Sequence, residues 1–231
     1  MNAPACSTIL ALGLLLGPPP VHAQQSDASI APRCTGSSAS FCRQTLHDKF
    51  LSYAVGAFGP RALFVPLFPA SYIMAIPPDR YPRDWREGLP ALGRNYADQF
   101  AAQTSFQAAR FATSAILHED LRYRRSTSKH PLARAGHALA YGFVDKSDSG
   151  HAQIAWSNFA GAAASGYVGR LYRPAGFNDV SHADTSMAIR FGAVAGRNVA
   201  EEFSPELVRL AKKLHLKIIH LLPEWWTPLD R

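Results

Sequence analysis

The stretch ILHEDLRYRRS (residues 116–126) carries the densest chemistry in the chain. His118 stands beside the carboxylates of Glu119 and Asp120, and Arg122, Arg124 and Arg125 follow. In a hydrolase, His118 would serve as a base, with the two carboxylates orienting it or holding a metal. The spacing argues for something plainer. Adjacent residues on a helix point about 100° apart, so these three side chains do not converge on one ion. The position four after His118, where a His-Glu-x-x-His zinc site has its second histidine, is Arg122. At the end of a long helix the same residues make ordinary pairs, Glu119 with Arg122 and Asp120 with Arg124, and the arginines complement the helix dipole. The preferred reading is a salt-bridged helix end, with catalysis at His118, Glu119 and Asp120 as the alternative.

No other pattern supplies a stronger site. There is no G-x-S-x-G nucleophile elbow and no phosphate-cradling glycine loop. His215 and His220 are five apart and face different sides of one helix, and Pro131 puts His130 just outside the helix that carries His137. No metal site and no cofactor are expected. SDSGH (147–151) has the outline of the Pro-Ser-Gly-His element of membrane-type phosphatidic acid phosphatases. Asp148 replaces the proline, however, and Arg173-Pro174 lies downstream where those enzymes need it upstream.

The elements that must hold any site are helical. Residues 1–23 carry no charged side chain, and an apolar run from Ile9 to Leu16 is followed by prolines and Val21-His22-Ala23, the pattern of a signal peptide cut after Ala23. Export makes Cys34 and Cys42 a disulfide that pins a flexible segment, residues 24–44. The net charge of +7 favours an anionic partner, and export disfavours nucleic acid.

Residues 45–203 read as one helical bundle. Thr45 and Asp48 form a capping box ahead of Leu46, Phe50, Tyr53 and Ala57. Four prolines divide 60–78 into a pair of short helices or a kinked buried segment. A long helix from about Arg94 to Leu117 places Tyr96, Phe100, Phe106, Ala109, Ile116 and Leu117 on one face. Further helices are expected over 126–144, 153–172 and from about Thr185, with turns at 145–150 and 173–184. Gly161, Ser165 and Gly169, and again Gly192 and Gly196, recur at four-residue spacing. Such spacing suits close helix packing within the bundle or a homo-oligomer.

The last segment, 204–231, is amphipathic, with Ser204 as N-cap and Pro205 at the first helical position. Leu207, Leu210, Leu214, Ile218 and Leu221 make an apolar face, Arg209, Lys212, Lys213 and Lys217 a basic one, and Trp225 and Trp226 lie just beyond. This composition suits a helix lying on an anionic membrane surface. The alternative is a terminal helix docked on its own bundle.

The order of LHEDLRY, ARAGHALAYGFV, DSG and WSNFAGAAASG over about 45–200 resembles an uncharacterised family of exported bacterial proteins, notably from acidobacteria. Leu121 stands where that family has proline. The resemblance implies an exported helical protein and assigns no activity, cofactor or site residue. The leading expectation is therefore an all-α, non-enzymatic protein of the periplasm or cell envelope, associating peripherally with a membrane surface or a protein partner. The alternatives are the hydrolase above and a helical protein integral to the membrane through 60–78 and 153–172.

Overall fold

Thr45 starts the first helix as expected. Its side chain accepts from the Asp48 N–H at 3.1 Å while Asp48 Oδ2 accepts from the Thr45 N–H at 2.9 Å, closing the capping box of α1 (Leu46–Phe58). The computed structural model describes residues 44–213. Residues 1–23, Cys34, Cys42, Lys217, Trp225 and Trp226, and the side chain of Lys212, lie outside the described residues.

The prolines act as punctuation. Pro60 opens α2 (Pro60–Phe64), Pro66 precedes α3 (Leu67–Ala75), and Pro77 and Pro78 follow its end. This is the expected pair of short helices. After α4 (Arg83–Arg86) comes α5 (Gly88–Ile116), which starts before Arg94 because Pro90 fits its first turn.

The chain then departs from expectation. His118 adopts a left-handed conformation (φ 55°), and the residues after it leave the helix as strand β1 (Glu119–Asp120). Helix α6 (Pro131–Ala140) begins at Pro131 as read but is shorter than 126–144 at both ends. Strands β2 (Val144–Ser147) and β3 (Ala152–Ile154) form an antiparallel hairpin with β1 on its outer side, in the order β1-β2-β3. The sequence predicts a helix end, a turn and a helix start there.

Helix α7 (Trp156–Tyr167) ends in a 3-10 turn, Val168–Leu171. Helix α8 (Val180–Glu202) starts earlier than Thr185, because Asp179 caps it by accepting from the His182 N–H at 2.9 Å. Helix α9 (Ser204–Lys213) follows directly. The chain is an all-α bundle carrying one small sheet.

The two most extensive helix pairings are those of α7 with α5 and with α8, and small residues permit them. A Cβ on Gly166 would lie 2.5 Å from the Ala183 carbonyl oxygen, and one on Gly161 would lie 3.0 Å from the Phe106 ring. The first small-residue stripe is thus spent inside the bundle, whereas a Cβ on Gly192 or Gly196 would meet nothing within 4 Å.

The interior is polar. Among the described residues the buried apolar side chains are mainly alanines, with Tyr141 and Val194. The largest fully buried side chains are Lys49, Glu119, Glu202, Asn95, Asn158 and Asp120. On α5 the buried stripe is Ala91, Asn95, Asp98, Ala102, Arg110 and Ser114. The apolar face read from the sequence is half-buried at Tyr96, Phe100, Phe106 and Ala109, and exposed at Ile116 and Leu117. Helical periodicity is present, but its polarity is inverted.

Candidate functional site

Strand β1 and the extended chain after it thread the polar interior. Period-two geometry decides the pairing: along extended backbone, Asp120, Arg122 and Arg124 fall on one side. Asp120 Oδ1 accepts from Arg122 Nε at 2.8 Å, and Oδ2 accepts from Arg122 Nη2 at 2.8 Å and Arg124 Nη2 at 3.2 Å. Burial alone would raise the Asp120 carboxyl, but the hydrogen bonds and charge of Arg122, joined by Arg124, hold it below the ordinary carboxylate range. The expected Asp120–Arg124 pair therefore exists, on extended chain rather than a helix.

Glu119 turns the other way and does not take up Arg122. Its Oε2 accepts the Ser157 N–H at 3.0 Å in the first turn of α7, placing a carboxylate at a helix N-terminus. Its Oε1 finds no partner among the described residues. His118 is different again. Its side chain is 69% exposed, and Nδ1 lies 3.7 Å from Oδ2 of the buried Asp148. Asp148 is held by the buried Lys49, whose Nζ donates to it at 2.9 Å and to the Ser114 carbonyl at 3.0 Å. His118, Glu119 and Asp120 thus point to three surroundings and share no cleft. Ser181 and His182, at the start of α8, close on Asp179.

Further along, the strand is latched to the end of α8. Glu202 Oε2 accepts from the Tyr123 hydroxyl at 2.7 Å and the Ser126 N–H at 3.0 Å, and Oε1 accepts from Arg134 Nε at 2.8 Å. Arg134 also bonds Glu206 of α9 and lies 4.6 Å from the Phe203 ring centroid. A separate node ties α5 to the segment after α7: Arg173 makes a two-pronged pair with Asp98 at 2.8 and 2.9 Å, and Tyr172 donates to the same carboxylate.

Between strand and helices lies a cavity of about 10 Å³ lined by Arg110, Tyr141, Asp145, Asn158, Arg197 and Asn198. Its volume suits one water, not a substrate. Burial pushes the Asp145 carboxyl up to about 7 and Arg110 down to about 10, the latter with help from the charge of Arg197. The Tyr141 hydroxyl, Asn158 Oδ1 and Arg110 Nε find no partner among the described residues. Among those residues no group of three or more His, Cys, Asp or Glu side chains is placed to hold a metal ion.

Sequence reasoning missed Lys49, Asp98, Arg110, Asp145, Asp148 and Glu202. A signal existed for Asn95, Asp98, Arg110 and Ser114, which recur near helical spacing on α5.

Of the residues expected to meet a membrane surface, Arg209 and Lys213 fall on α9 among the described residues. Arg209 and Lys213 are exposed. Leu207 and Leu210, on the expected apolar face, are 45% and 53% exposed, so at these two positions the face is not packed on the bundle. No described helix is long and apolar enough to cross a membrane by itself. Comparison of the chain with protein-family models, curated proteins and solved structures finds no match.

Proposed function

We propose that this chain is a non-enzymatic, exported envelope protein that attaches to an anionic membrane surface through its C-terminal helix. The observation that carries the reading is the exposure of Leu207 and Leu210 beside Arg209 and Lys213 on α9. An amphipathic helix of this kind settles with its leucines among the acyl chains and its cations at the headgroups. The net charge of +7 adds long-range attraction. The resemblance to exported bacterial proteins supports the location. The polar interior supports a holding role over catalysis, because Lys49, Asp98, Asp120 and Glu202 are engaged in ion pairs and the cavity beside Arg110 has the volume of a water.

The test is flotation of the purified protein with phosphatidylglycerol-containing and pure phosphatidylcholine vesicles at low salt. Preferential flotation with the anionic vesicles is expected, and the Leu207→Glu/Leu210→Glu variant should lose most of it. Equal flotation of variant and parent, or none by the parent, would remove the reading.

A further inference from the structure

We infer that α2 and α3 form a wedge that enters the hydrocarbon of one membrane leaflet, a second contact distinct from α9. This rests on the membrane-surface reading and deepens it from adsorption to insertion. At the bend between the two helices Leu63, Phe64, Leu67 and Phe68 all face outward, Phe64 and Phe68 being 63% and 70% exposed. From Ala62 to Pro78 the chain has no charged side chain. The segment formed by α1 and α2 meets α3 at 43°, and together they are apolar enough for a broken span. Ala70 and Pro66 are buried beneath, turning the large side chains outward.

Three observations favour acyl chains over a protein partner. First, the apex offers no hydrogen-bonding side chain before Ser71, whereas protein interfaces carry about one hydrogen bond per 100–200 Å². Second, several backbone groups at the bend are satisfied within the chain, as a medium without water requires. Val65 N–H donates to the Arg61 carbonyl at 3.0 Å and Phe68 N–H to the Val65 carbonyl at 3.2 Å, while Pro66 and Pro69 have no N–H to satisfy. Third, the dimensions match: the nine residues of α3 rise about 14 Å, close to the roughly 15 Å of one leaflet's hydrocarbon. Tyr81 and Trp85, the amphipathic residues found at membrane interfaces, follow where the apolar run stops.

The experiment loads the full-length protein onto phosphatidylglycerol-containing vesicles at low salt and then washes them with high salt, which screens the attraction of α9. The parent is expected to stay on the vesicles. The Phe64→Glu/Phe68→Glu variant should be recruited at low salt but released by the wash, with retention lower by about a hundredfold. Both sites are exposed, and unchanged helical circular dichroism and melting confirm that the variant folds. Should it fail that check, the single Phe68→Ser variant replaces it, with a smaller loss of retention expected. Release of the parent by salt, or equal retention of a folded variant, overturns the wedge and leaves the α9 reading in place. Failure of the parent to bind at low salt overturns both. A parent that does not bind but forms a dimer split by the variant assigns the apex to a second copy instead.

Discussion

Lys49 shows most directly what a polar interior demands. It is buried in α1, donates to Asp148 and to the Ser114 carbonyl, and so ties the first helix to the hairpin tip and the end of α5. Removing the cation strands a buried carboxylate. Lys49→Met should therefore destabilise the protein by about 3–5 kcal/mol, with much of the loss recovered in Lys49→Met/Asp148→Leu. Denaturant titration of the single and double variants checks this, and a harmless single substitution would contradict the geometry. Asp145 makes a prediction in pH. Its carboxyl is raised to about 7 in the folded state, so the native protein holds that proton more tightly than the unfolded chain. Its contribution to stability therefore falls as pH rises from the ordinary carboxylate range to about 7. Asp120 and Glu202, held low by arginines that outweigh their burial, stay ionised across that window. Asp145→Asn should stabilise by up to about 3 kcal/mol near pH 8 and by less near pH 5. Melting curves that show no such difference would refute it. At this scale the sequence was partly legible. The Asp120–Arg124 partnership is readable from the four-residue spacing, although extended chain rather than a helix carries it, but that of Glu119 with Ser157 joins positions 38 apart, and local spacing does not encode such a distance.

Elements were easier to read where their signals are local. The Thr45–Asp48 box, the proline-divided pair α2 and α3, and the start of α6 at Pro131 each follow from residues within a turn of the boundary. The sheet was missed because its strands run to four residues at most, too short to show period-two alternation. The central packing of α7 yields a prediction by contrast. Gly166→Ala must push the Ala183 carbonyl or Met187 aside and should cost about 1–3 kcal/mol. Gly192→Ala, on α8 with open space before it, should be neutral or stabilise by up to about 1 kcal/mol. Thermal melts of the two variants compare a close approach with an unused one, and equal losses would mean that α7 and α8 do not meet as described.

For the whole molecule the informative fact is the exchange of inside and outside. Exposed Leu, Ile and Phe side chains are ordinary when scattered, but here they accompany an interior of Lys, Glu, Asp and Asn. Composition alone hid this, since the same residue counts serve a bundle packed either way round. If lipid is the partner, vesicles or mild nonionic detergent should raise the melting temperature, because whatever binds only the folded state stabilises it by mass action. A melting temperature indifferent to both would count against any lipid-covered face. The all-α class was legible from the absence of long β-branched runs and the abundance of alanine and leucine. Which face of each helix turned inward was not, because the rule that apolar means buried fails when charged pairs fill the centre.

The Glu202 latch bears on the order of synthesis. Tyr123, Ser126 and Arg134 are made long before the carboxylate that closes on them, which arrives 68 to 79 residues later. In a nascent chain Tyr123, Ser126 and Arg134 therefore wait for that partner until the end of α8 is complete. Over that interval residues 123–134 lack this anchor and are the natural target for a protease or the natural hold for a chaperone, and the carboxylate that secures the finished fold marks the moment at which that interval ends.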